Sequence, residues 1–145
     1  PEVDLLRELL TLYPDTPPEF LLFSRLPRGL VLRDLTLKDA PFWTVHPYAC
    51  NRVLVENITI TAPVWSRNTD GIDPDSSSNV LIRDCSLAGG DDNVAIKSGI
   101  DAAGRAFGRP AINITVQNVH AHWGDGFAIG SEMSGGVHIV LFSNI

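Results

Sequence analysis

Four aspartates carry the chemistry open to this 145-residue sequence: Asp70, Asp91, Asp92 and Asp125. Carboxyl groups brought close together repel as anions, so their pKa values split and one stays protonated while another ionises. Such a set supplies a general acid and a general base, the pairing glycoside hydrolysis uses to protonate a leaving oxygen and activate a water. Spacing alone leaves two other uses open. Asp70-Gly71 and Asp125-Gly126 are ordinary turn dipeptides, and aspartate readily bonds its own backbone. Stacked carboxylates also suit a hard cation such as calcium.

Bringing distant aspartates together requires a repeating scaffold, and the sequence repeats. One series reads Leu30–Leu37, Val53–Ile60, Val80–Leu87, Ile114–Val119 and Val140–Ile145, each short, alternating and rich in β-branched residues. Asp34, Asn57, Asp84, Asn118 and Asn144 recur in it at spacings of 23, 27, 34 and 26 residues. A fixed strand pattern at variable spacing predicts a solenoid whose insertions leave as loops, with the Asp/Asn column closing a turn or a side-chain ladder. A second series reads Trp43–His46, Asp70–Asp73, Asp92–Ala95 and Asp125–Ala128. In a parallel β-helix each series becomes one sheet with about 4.8 Å between coils, which predicts Asp70, Asp92 and Asp125 in one column and Asp91 beside Asp92.

Composition narrows the partners. With 44% hydrophobic and 19% charged residues the chain is globular, and a net charge of −6 without a Lys/Arg cluster argues against nucleic acid. No apolar run is long enough to cross a membrane. Residues 1–145 are expected to form a single partial domain. Residues 1–18 provide a capping helix, from Leu5, Leu6, Leu9, Leu10 and Tyr13, or a flanking loop, and 19–145 the coils. Cys50 and Cys85 are expected as buried small apolar residues.

Several runs together resemble glycoside hydrolase family 28, the polygalacturonases. Asn68-Thr69-Asp70-Gly71-Ile72-Asp73-Pro74-Asp75-Ser76-Ser77 is similar to the family signature, and Gly90-Asp91-Asp92-Asn93-Val94-Ala95-Ile96-Lys97-Ser98-Gly99 to its second motif. Gly130-Ser131-Glu132-Met133-Ser134-Gly135-Gly136-Val137 and Pro41–Pro47 also fit. The resemblance implies an all-β, right-handed single-stranded parallel β-helix, pectin-lyase-like and incomplete at its C-terminal end. It implies inverting hydrolysis of α-1,4-galacturonosyl bonds in pectin or polygalacturonate, with Asp91 as general acid and Asp70 and Asp92 holding and deprotonating the water. Asn68, Asp125 and Lys97 would contact substrate. No metal or other cofactor is expected, and the protein would act as a secreted monomer on an extracellular polymer.

Two features depart from the family pattern. Gly124-Asp125-Gly126 stands where the family usually has Gly-His-Gly, adding a negative group and removing a cation. The family's later Arg-Ile-Lys motif, which grips the substrate carboxylate, falls outside these residues. Both favour an alternative reading, a catalytically weakened β-helix that only binds acidic polysaccharide. His120 and His122, expected on a surface loop, and Arg105 and Arg109, in a loop from Gly99 to Pro110, are the other nearby candidates for positive charge.

Overall fold

A computed structural model describes residues 21–24 and 29–145; the expected N-terminal helix or loop lies outside them. Strands β1 (Leu21–Ser24), β2 (Leu30–Lys38), β3 (Val45–Tyr48), β4 (Asn51–Thr61) and β5 (Ser78–Ala88) are followed by β6 (Asp92–Ile96). Helix α1 (Asp101–Phe107) and strands β7 (Ala111–Trp123), β8 (Gly126–Ile129) and β9 (Val137–Ser143) complete the order. Every pairing is parallel. Strands β2, β4, β5, β7 and β9 form one sheet in chain order, each next to the preceding member of the same series. The second series is joined by isolated bridges: Val45 pairs with Ile72 and Ile72 with Val94, while Tyr48 pairs with Asp75 and Asp75 with Lys97. The result is a parallel β-helix, as the repeats predict.

The alternation explains the core. Leu30, Leu32, Val53, Val55, Val80, Ile82, Ile114 and Val116 point inward in successive coils, and Val45, Ile72 and Val94 meet them from the second sheet. Each fully buried aliphatic side chain is worth about 1.5–3 kcal/mol. Cys50, between β3 and β4, and Cys85, in β5, are both buried, as expected of small apolar residues.

The recurring Asp/Asn column does turn the chain. Asp34, Asn57, Asp84, Asn118 and Asn144 all take φ between 51° and 58°, the left-handed region that Asn and Asp tolerate best. The Asn57 amide donates to Asp34 Oδ1 at 2.7 Å, Asn118 to Asp84 Oδ1 at 3.0 Å and Asn144 to Asn118 Oδ1 at 2.9 Å. A second left-handed column was not evident in the sequence. It contains Arg52, Asn79, Asn113 and Ile139, because only its middle members are Asn. There Asn113 donates to Asn79 Oδ1 at 2.7 Å and Asn79 to Asn51 Oδ1 at 2.8 Å. Against expectation, the stretch from Gly99 to Pro110 is not all loop. Asp101–Phe107 forms a two-turn helix closed by the left-handed Gly108, whose N–H donates to Gly104 O. Gly104 is required there, since a Cβ would stand 2.6 Å from the Gly99 carbonyl carbon.

Ile139 is the strained member of the second column: a β-branched residue at φ 56°, 72% exposed, with no amide to continue the ladder. Ile139→Asn should therefore stabilise the fold by ~1–2 kcal/mol, by relieving strain and adding one ladder hydrogen bond. Thermal denaturation followed by circular dichroism checks this; an unchanged or lower midpoint counts against it.

Candidate active site

The second sheet brings the acidic residues to one place. The Gly71 N–H donates to Asp92 O at 2.9 Å and the Ile72 N–H to Asn93 O at 3.1 Å, which sets Asp70 beside Asp92 on adjacent coils. A Cβ on Gly71 would meet Asn93 O at 2.4 Å, so only glycine permits this approach after Asp70. The loop before Asp70 is tied down by Thr69, whose hydroxyl donates to Ser66 O at 2.7 Å and accepts from the Gly90 N–H at 2.9 Å. Carboxylate oxygens of Asp70, Asp91 and Asp92 all lie within 4.8 Å of one another. Asp91 is held through its carboxylate, which accepts the Asp92 N–H at 3.0 Å and the Asn68 N–H at 3.2 Å. Asn68 thus reaches the site with its backbone.

Asp125 does not join the column as expected. The partner of Asp92 is Gly126, because the register shifts between Asp92 and Val94. Asp125 is exposed and sits one place earlier, its N–H donating to Asp91 O at 2.9 Å. Its charge still reaches Asp92.

Lys97 is not a solvent-facing strand residue; it is 4% exposed. Its ammonium lies 3.6 Å from Asp70 Oδ2 and donates to Glu132 Oε2 at 3.0 Å and to Gly130 O at 3.3 Å. It also stands 4.4 Å from the centre of the Trp43 ring, a cation–π contact. Burial by itself would lower the Lys97 pKa, but the bond to Glu132 and the charges of Asp73 and Asp70 overcome this and raise it. Glu132 moves the other way: partial burial opposes ionisation, and the Lys97 bond outweighs it and lowers its pKa. The pair is therefore charged at neutral pH.

The carboxylates respond to burial and to each other. Burial pushes the Asp70 pKa up to about 6, with Asp91 and Asp92 adding to the rise and Lys97 opposing it. Asp92 is also raised, first by burial and then by the charge of Asp91. Asp73 follows Ile72, the bridge partner of Val45 on the adjacent coil; the Val45 carbonyl accepts its N–H at 2.8 Å, and its side chain is fully buried. Its carboxylate oxygens have only a weak backbone contact from Ala95 to offset their burial. Burial, reinforced by the charge of Asp70, raises its pKa well above the usual carboxylate range. Burial thus favours the protonated form of Asp73, behind Asp70. A trio this compact also suits a hard cation in principle; the positive charge set against Asp70 in the structure is the Lys97 ammonium.

Sequence reasoning missed Asp73 and Glu132 as parts of the site. Trp43 had a signal, since it heads the same repeat series as Asp70 and Asp92. Glu132 had none, being 35 residues from Lys97. His120 and His122 lie on β7, not on a loop, with their rings 4.4 Å apart and His122 hydrogen-bonded to the Ser86 hydroxyl at 2.8 Å. Arg109 donates to Cys50 O at 3.2 Å.

A parallel β-helix with a carboxylate trio on one sheet defines the class. The family of glycosyl hydrolases 28 matches residues 13–144, and the chain belongs to that family. It is 44% identical over 116 residues to a Vitis vinifera protein described as "Probable polygalacturonase", covering 79% of this chain and 24% of that protein. Its fold is similar to a hyperthermoactive exopolygalacturonase from Thermotoga maritima, with a TM-score of 0.71 and 39% identity over 77% of this chain and 26% of that one. A polygalacturonase from Erwinia carotovora gives a TM-score of 0.66 and 35% identity over 79% of this chain and 28% of that one. The chain spans about a quarter of the length of these relatives.

A buried carboxyl with a pKa near 6 has a consequence for stability. The unfolded value is 3.8, so between about pH 4 and pH 6 the folded state holds a proton that the unfolded state has lost. Stability therefore falls as pH rises through this window, and the full cost is present above it. Asp70→Asn removes the charge, so it should stabilise the fold by roughly 1–3 kcal/mol at pH 7.5. The gain should vanish below pH 4. Thermal midpoints measured at both pH values test this, and a gain independent of pH would contradict it.

Proposed function

We propose that the protein of which this chain is part hydrolyses α-1,4-galacturonosyl bonds in pectin or polygalacturonate. The observation that carries this reading is the trio Asp70, Asp91 and Asp92, with carboxylate oxygens within 4.8 Å of one another. Family membership and the polygalacturonase relatives supply the substrate class. Asp91 acts as the general acid that protonates the leaving oxygen, and Asp70 and Asp92 hold and deprotonate the attacking water. An extracellular polymer as substrate implies a secreted protein, acting as a monomer.

The proton for the acid comes from the cluster itself. Burial and neighbouring charge raise Asp70 and Asp92, so this pair keeps a shared proton into mildly acidic conditions. Inversion is usually linked to carboxyl groups ~6.5–9.5 Å apart on opposite sides of the bond, wider than this trio. That rule applies to carboxyls flanking the sugar. Here the three lie together at the start of β6 and on the coil before it, and Asp70 and Asp92 share the water from one side.

The alternative of a weakened polysaccharide-binding homologue draws on exposed Asp125, which adds negative charge beside Asp92. Reducing-end release from polygalacturonate by the full-length protein separates the two. Asp91→Asn should lower the rate by at least ~10²-fold, the usual worth of a general acid, and proton NMR should show the β-anomer forming first. Binding without release in the wild-type protein would favour the alternative, and an α-anomer would overturn inversion.

The pH profile gives a second check. Activity should decline as pH rises past about 6, where the shared proton is lost. Lys97 lowers the Asp70 pKa, so Lys97→Met should move this limb to higher pH. A limb that stays in place or moves to lower pH would separate the proton from Asp70.

A further inference from the structure

Trp65 is 80% exposed, more than any other large hydrophobic side chain among the described residues, and its neighbour Val64 is 63% exposed. Both occupy the tip of a turn that the Ser66 N–H closes by donating to Pro63 O at 2.9 Å. Turn tips ordinarily carry Gly, Pro, Asn, Asp or Ser. An indole left in water forgoes the burial of a large apolar surface, so its presence at this tip points to a partner.

The place of the turn decides the partner. At its start the Ala62 N–H donates to Ala88 O at 2.8 Å, and Ala62 O accepts the Trp123 indole N–H at 3.1 Å. At its end Ser66 O packs so close to Gly90 that no side chain fits there. The Thr69 hydroxyl joins Ser66 O to the Gly90 N–H, and the Asn68 N–H donates to the Asp91 carboxylate at 3.2 Å. Both ends of the turn are thus fixed to the segment from Ala88 to Asp91. Trp65 is presented by rigid backbone on the Asp91 side of the carboxylate trio, and little ordering is needed before it binds.

The chain that reaches Asp91 in the reading above is a galacturonan. The axial oxygen at C4 of each unit leaves the hydrogens of C3, C4 and C5 on one face of the ring. That apolar patch fits flat against an indole while the carboxylate stays in water.

We propose that Trp65 is a stacking residue for one galacturonosyl ring of the bound polymer, on the Asp91 side of the site. The assignment rests on the pectic hydrolase reading and adds to it a binding residue outside the carboxylates.

Trp65→Ala in the full-length protein should raise KM for polygalacturonate about tenfold and leave kcat within about twofold, since the stack is made equally in ground and transition states. Trp65→Tyr should retain most of the wild-type affinity and Trp65→Leu little of it, because a flat ring makes the contact. Calorimetry with hexagalacturonate and the Asp91→Asn protein, with and without Trp65→Ala, reads the same loss without turnover. KM and affinity unchanged by Trp65→Ala, in a protein that hydrolyses the polymer, would overturn the stacking role and leave the hydrolase reading standing. Affinity that depends on Trp65, in a protein that hydrolyses nothing, would remove the hydrolase reading and keep Trp65 as a sugar-binding residue.

Discussion

Parallel hydrogen bonding between successive coils is the constraint on which everything else in this protein depends. It holds equivalent residues of neighbouring coils at a separation of about 4.8 Å, whatever the loops between them do. Inside the solenoid this stacks aliphatic side chains into a continuous core. Outside it, the same spacing forces Asp70 against Asp92, which two independent loops would have no reason to do. The energetic cost of crowding acids is met by the core and by the rigid ladder, and the site inherits its raised pKa values from that arrangement.

The charge balance of the site follows from how few cations the scaffold admits. Lys97 faces Asp70, Asp73 and Glu132 at once, and its ammonium is fixed by a hydrogen bond, a carbonyl and an aromatic face. Burial raises the Asp73 pKa, while the bond from Lys97 lowers that of Glu132. Burial and proximity thus shift two chemically similar side chains in opposite directions. Asp75, with backbone and side-chain donors around it, extends the acidic edge into an adjoining cavity lined by Trp43, Tyr48 and Phe107.

The corners of the coil show a second kind of economy. Left-handed residues recur where the chain must bend, and Asn or Asp at those places both accepts the conformation and bonds its neighbour above or below. Where the column holds Arg52 or Ile139, the backbone still bends because the strands on either side are paired. Local preference and tertiary pairing therefore agree at most corners and part company at a few.

The sequence by itself determined the solenoid, since alternation and the recurring Asp/Asn at 34, 57, 84, 118 and 144 are local signals that repeat. It also determined that Asp70, Asp91 and Asp92 meet, because their place in the repeat is their place in space. It left the Asp125 register wrong by one residue, since the shift beside Asn93 is a property of two paired strands and has no signature in either. Only the tertiary structure decided the state of Lys97, the burial of Asp73 and the partnership with Glu132. Those depend on desolvation and on charges tens of residues apart in sequence, which no periodicity records.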